Sequence, residues 1–104
     1  MTEITLFYVP ISKDNSDRLI TDVLNSRLVA CVNKVSLESS HYFWQGSLEV
    51  DKSECVLLMK TSNEKVKALS DWLEERHPYD VPCLINFKVA VNKSYHQWVL
   101  EQLA

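Results

Sequence analysis

The side chains best suited to chemistry in this 104-residue chain are thiols and imidazoles: Cys31, Cys55 and Cys83, with His41, His77 and His96. Thiolate and imidazole are the donors that soft and borderline metals such as copper prefer. No CxxC, HxxxH or HExxH pair occurs, so no single segment supplies a chelating set. A metal site must therefore be assembled from distant strands or from two copies of the chain. Cys31 sits between Ala30 and Val32 in an extended run. A free cysteine buried there is an inert small hydrophobe, whereas an ammonium beside it favours the metal-binding thiolate. His77 stands before Pro78 at the end of a helix-period run. It either meets the negative end of the helix dipole or serves as a divalent-metal ligand. His41 and His96 read as solvated or interface residues.

Composition excludes several classes. Eleven Lys and Arg against fourteen Asp and Glu give a net charge of −3, which opposes a nucleic-acid backbone as the main partner. Gly46 is the only glycine, so neither a phosphate-cradling P-loop nor a dinucleotide fingerprint exists. No apolar run reaches the ~20 residues of a membrane helix. The start Met1-Thr2-Glu3 lacks the basic and apolar stretches of a secretory signal. An odd, widely spaced set of cysteines fits free thiols in a reducing compartment, and cytoplasmic residence is the expectation.

The elements that must position these residues follow from hydrophobic period. Ile4–Val9 is a β-branched and aromatic strand stopping at Pro10. Leu19, Ile20, Val23, Leu24 and Leu28 form a helical stripe after polar capping choices at Ser12–Ser16. A strand from Val29 to Trp44 turns at Gln45-Gly46 and returns from Ser47 to Lys60. A second helix carries Val66, Leu69, Trp72 and Leu73, a strand covers Val81–Val89, and a last helix from Lys93 presents Tyr95, Trp98, Val99 and Leu103. The order β-α-β-β-α-β plus a helix predicts a single α+β domain over 1–104. Its expected architecture is a ferredoxin-like two-layer sandwich with the first and third strands central.

The hairpin is too long for that sandwich. Each arm spans ~45 Å at about 3.3 Å per residue, whereas a helix of about 13 residues covers only ~20 Å. The overhang carries Tyr42, Phe43, Trp44, Leu48 and Val50, an apolar tip that another copy must shelter or pair with, the alternative being a bulge that folds the hairpin back on its own sheet. Equal counting outward from the turn, with no bulge, sets Cys31 opposite Lys60.

Leu28-Val29-Ala30-Cys31-Val32-Asn33, Ser40-His41-Tyr42-Phe43-Trp44-Gln45-Gly46, Glu54, Lys60-Thr61 and His77-Pro78-Tyr79-Asp80-Val81-Pro82 together resemble the CutA divalent-cation-tolerance family. The likeness runs without gaps from the first strand to Tyr95 and Trp98. It departs where the family carries a proline near Ser36, glutamates at Asp80 and Cys83, and a glycine near Asn92. The resemblance implies a homotrimer, similar in fold to the PII signalling proteins, with long hairpins packed across subunits. It also implies a role in tolerance of divalent metals, copper above all, with Cys31 and His77 as the metal-binding candidates. Tyr42, Trp44, Glu54, Lys60 and Tyr79 match family positions and are expected to line a cleft between subunits.

Catalysis is not expected, and no cofactor is required beyond a divalent ion such as copper. An acylphosphatase-like enzyme would need an anion-cradling loop after the first strand, and Pro10-Ile11-Ser12-Lys13-Asp14 holds neither glycine nor arginine. An RNA-recognition domain needs exposed aromatics on a basic sheet. The remaining alternative is a PII-like signalling module, with a small anionic ligand in its intersubunit clefts and a partner protein at its hairpins.

Overall fold

In the computed structural model, which describes residues 2–103, the chain forms strands β1 (Thr2–Ser12), β2 (Cys31–Ser36), β3 (Ser40–Trp44), β4 (Ser47–Asp51), β5 (Glu54–Thr61) and β6 (Ile85–Val91). Helices α1 (Lys13–Asn25), α2 (Val66–Arg76) and α3 (Lys93–Leu103) join them, with a 3-10 turn at Asn63–Lys65 leading into α2. The main sheet has the order β2-β5-β1-β6 and all its pairings are antiparallel. β1 and β5, the first and third strands of the ferredoxin-like pattern, are central as expected. β3 and β4 form a separate two-stranded sheet that extends the molecule to 45 × 24 × 20 Å.

Strand alternation divides the main sheet into two unlike faces. On the front face, Phe7, Val9 and Ile11 of β1 and Cys55, Leu57 and Met59 of β5 are fully buried in one core with Leu19 and Val23 of α1 and Leu69 and Leu73 of α2. On the back face α3 covers only one end, where Val99 and Leu103 pack on Ile4 with Val89 and Tyr95 beside them. The rest of that face is left open, with Ile85 50% and Phe87 47% exposed on β6 and Val35 likewise exposed on β2.

Several boundaries differ from the periodicity. β1 continues through Pro10 to Ser12. Pairing with β6 ends at Tyr8↔Ile85, so proline lies beside an unpaired edge and costs no ladder bond. α1 ends at Asn25, and the chain reverses through Arg27 at φ 63°; Leu28 therefore packs on the core from outside the helix, and Leu24 is exposed. β2 begins at Cys31 rather than Val29. The last strand begins at Ile85 rather than Val81, because Pro82 cannot donate to a ladder and leaves 81–84 irregular. Trp98 stacks on Tyr95 at 5.7 Å but stays partly exposed.

The long hairpin is interrupted on both arms, at 37–39 and at 52–53. No residue is gained on either side. Ser36↔Cys55 and Ser40↔Asp51 belong to one register counted from the turn, and the Leu37 amide still donates to the Glu54 carbonyl at 3.1 Å. Gln45 and Gly46 both have positive φ, 50° and 82°, the signature of a two-residue hairpin loop.

Candidate functional site

The back face holds candidate residues at both ends of β5. At one end Cys31 pairs with Lys60 across β2 and β5, as equal counting predicts. Lys60 Nζ lies 3.7 Å from Cys31 Sγ and donates to Asn33 Oδ1. The Tyr95 hydroxyl of α3 also meets this thiol; burial first, then the neighbouring Cys31, pushes the phenol's pKa above its ordinary value. Cys31 is half-buried, Cys55 is fully buried with its thiol donating to the Ile11 carbonyl at 3.6 Å, and Cys83 is exposed. All three are free thiols.

At the other end, His77 follows α2 and is 6% exposed. Its Nε2 lies 2.9 Å from the Pro10 carbonyl, and its Nδ1 accepts from the Tyr79 amide at 3.1 Å. The two bonds together require the neutral ring with its proton on Nε2. Burial lowers the His77 pKa, against the smaller opposing pulls of the Pro10 carbonyl and Glu54. The Tyr79 ring packs edge-on against the imidazole at 4.7 Å, and its hydroxyl donates to Glu54 Oε2 at 2.6 Å. Tyr79 is driven far above a phenol's usual pKa, first by burial, then by this hydrogen bond and the nearby carboxylates.

Glu54, Tyr79, Tyr42 and Trp44 are brought together around a cleft of about 660 Å³ between the outer hairpin and the back of the sheet. Lys60 is not part of it. Six residues along β5 separate Lys60 from Glu54, roughly 20 Å. Asp51, Asp80 and Tyr8 also line the cleft and were not among the expected lining residues. Tyr8 was legible in principle, since an even position on β1 must face opposite the core residues Phe7 and Val9. The two aspartates carried no pattern: Asp51 closes β4 opposite Ser40, and Asp80 lies in the irregular segment after α2. Partial desolvation, then Asp51, Glu54 and Glu49, raise the Tyr42 pKa.

Cys31 and His77 are not brought together. Cys31 is level with Leu6 of β1 and His77 with Pro10, four residues or about 13 Å along the strand. Among the described residues, no group of three or more His, Cys, Asp or Glu side chains is placed to hold a metal ion. No helix among them is long and apolar enough to cross a membrane.

Residues 5–102 match the family model described as CutA1 divalent ion tolerance protein. A Thermus thermophilus relative, divalent-cation tolerance protein CutA, is 34% identical over 102 residues, covering 97% of each chain. The crystal structure of divalent ion tolerance protein CutA1 from Ehrlichia chaffeensis has a TM-score of 0.90 at 29% identity, covering 100% of this chain and 98% of that one. The structure of the periplasmic divalent cation tolerance protein CutA from Archaeoglobus fulgidus has a TM-score of 0.87 at 25% identity, covering 99% and 100%. A match over nearly the whole length, in sequence and in fold alike, fixes the relationship: the chain belongs to the CutA1 divalent ion tolerance family.

Proposed function

We propose that the chain works without catalysis, as a homotrimer whose copies together bind copper or a similar divalent ion in the service of metal tolerance. The carrying observation is the unfinished back face. Apolar side chains of β2, β6 and the outer hairpin lie open, with Phe43 78% and Leu48 64% exposed, more than an isolated small domain leaves to water. Two free sheet edges, β2 and β6, offer unpaired backbone to a neighbour.

Metal ligation in this reading begins with Cys31. Its sulfur is half-buried, its pairing with Lys60 and Tyr95 holds it in place, and soft divalent ions favour sulfur. His77 would contribute only by giving up its bond to the Pro10 carbonyl or to the Tyr79 amide. The remaining ligands would come from a second copy, because the described residues of one chain gather no complete set. Three unpaired thiols suit a reducing cytoplasm. The PII-like alternative, with an anion in the cleft, is less favoured because Asp51, Glu54 and Asp80 line it.

Native mass spectrometry of protein purified without added metal reads subunit count and bound ion together. Three subunits that take up copper on titration, with uptake reduced in the Cys31→Ala, His77→Ala double variant, are the expected result. A single chain at micromolar concentration, or unchanged copper affinity in that variant, removes the corresponding half of the proposal.

A further inference from the structure

Cys31 and Lys60 face each other directly across β2 and β5, so their side chains leave the sheet on the same side. Their reactive atoms, Sγ and Nζ, are 3.7 Å apart. Two further side chains hold the pair in place. Asn33 Oδ1 accepts from the Lys60 ammonium, and the Tyr95 hydroxyl of α3 bonds to the sulfur. The thiol is half-buried, which leaves part of it open to an oxidant scarcely larger than water. It lies at the end of the back face that α3 of the same chain covers, away from the open apolar area of β6 and the outer hairpin.

A hydroperoxide converts a thiol to a sulfenic acid, which then condenses with whatever nucleophile is at hand, a second thiol or a nitrogen. No second thiol of the chain is within reach. Cys55 is five residues from Lys60 along β5, roughly 17 Å, and points into the closed core on the opposite face. Cys83 lines the cleft at the other end of the sheet. The nucleophile in contact with the sulfur is the Lys60 amine, and groups held at contact distance react as if at very high concentration.

We propose that Cys31 and Lys60 are an oxidative modification site, closed by a hydroperoxide into a sulfenamide, a covalent sulfur–nitrogen bond between β2 and β5. In the first step the sulfur gives an electron pair to one oxygen of hydrogen peroxide. The O–O bond breaks, the other oxygen leaves as water, and Cys31 becomes a sulfenic acid. In the second step the Lys60 ammonium releases a proton to solvent and its nitrogen attacks the sulfur. The S–O bond breaks, and the departing hydroxide takes a second proton from the nitrogen and leaves as water. The sulfur is oxidised by one electron pair and the peroxide is fully reduced to water. An added thiol reverses the link by attacking the sulfur and freeing the amine. The bond forms whether or not the sulfur also ligates copper, and while closed it withholds that sulfur from any soft metal.

The test treats the whole, metal-free protein in its own assembly state with hydrogen peroxide, followed by tryptic digestion and mass spectrometry. Cleavage after Lys60 should be lost. A peptide pair joined through Cys31 should appear, lighter by two hydrogens than its separate parts, with fragmentation placing the join at Lys60 and not at Cys55. Dithiothreitol should restore both the thiol and the cleavage. Lys60→Arg, shown to be folded by circular dichroism, keeps the positive charge without a nucleophilic amine. In that variant the joined pair should vanish, and dimedone should trap Cys31 as the sulfenic acid. Cys83→Ser should leave the link unchanged. The proposal is overturned if cleavage after Lys60 persists in the oxidised wild type, with Cys31 recovered as a free thiol, as an oxygenated acid or as a disulfide. A joined pair that survives in Lys60→Arg overturns it equally.

Discussion

The two faces of the main sheet are built from the same strands and finished differently. On the front, every second residue of β1 from Phe7 to Ile11 and of β5 from Cys55 to Met59 is sealed beneath α1 and α2. On the back, the intervening residues meet α3 at one end and open space at the other, where Tyr8, Glu54 and Tyr79 line the cleft. The front face is a finished core that holds the chain together. The back face, with the outer hairpin leaning beyond it, leaves apolar area of β2 and β6 open and carries the candidate groups of the cleft. The closed core and the candidate site are thus divided between alternate residues of the same two strands.

Substitutions on the two faces test this division. Phe7→Ala on the front should cost about 3–5 kcal/mol of unfolding free energy, the usual penalty for removing a buried ring from a closed core, read by chemical denaturation. Trp44→Glu on the hairpin should leave the secondary structure intact by circular dichroism. Its effect belongs to assembly: an association constant lower by about a hundredfold or more, read by sedimentation. If the variant instead unfolded the single chain, the hairpin would be part of the core and the division would fail.

Tyr79→Phe is a smaller change, deleting one hydroxyl that donates to a buried carboxylate. A loss of about 1–2 kcal/mol is expected in thermal or chemical unfolding. No loss would mean that Glu54 is already satisfied through the cleft. The smallest effect is a pH dependence centred on His77. The ring titrates below its ordinary 6.5 in the folded chain, so folded protein binds fewer protons than unfolded between the two values. Stability is complete above about pH 6.5, declines as acid carries the pH down through the folded value, and then levels off. Comparing denaturation midpoints at about pH 7.5 and about pH 5.5, His77→Gln should flatten this contribution. An unchanged slope would place the titrating group elsewhere.

Much of the architecture was legible from local pattern. The helical stripes of α1, α2 and α3 and the Gln45-Gly46 turn each depend on neighbours in sequence. The turn alone fixed the pairing of Cys31 with Lys60, since two arms with no net insertion keep one register over their whole length. Pattern misled where a residue's environment depends on how far its neighbour extends. Pro10 did not end β1 because β6 had already stopped pairing there. Leu28 met the core without belonging to a helix. Of the five residues expected at a cleft between subunits, Tyr42, Trp44, Glu54 and Tyr79 line one cleft within the chain, and Lys60 lies away from it, because residues six apart on a strand stay roughly 20 Å apart whatever their chemistry.

The sequence by itself determined the element order, the hairpin register and the kinship that makes this a divalent ion tolerance protein, because these rest on period, turn chemistry and motifs read along the chain. Only the tertiary structure decided that the sheet has one closed and one open face, that both nitrogens of His77 are engaged, and that Asp51 and Asp80 meet Glu54 around one cleft. Those outcomes depend on which distant segments come to lie over each strand. A local pattern can say that a residue alternates, but not what, if anything, is packed against it.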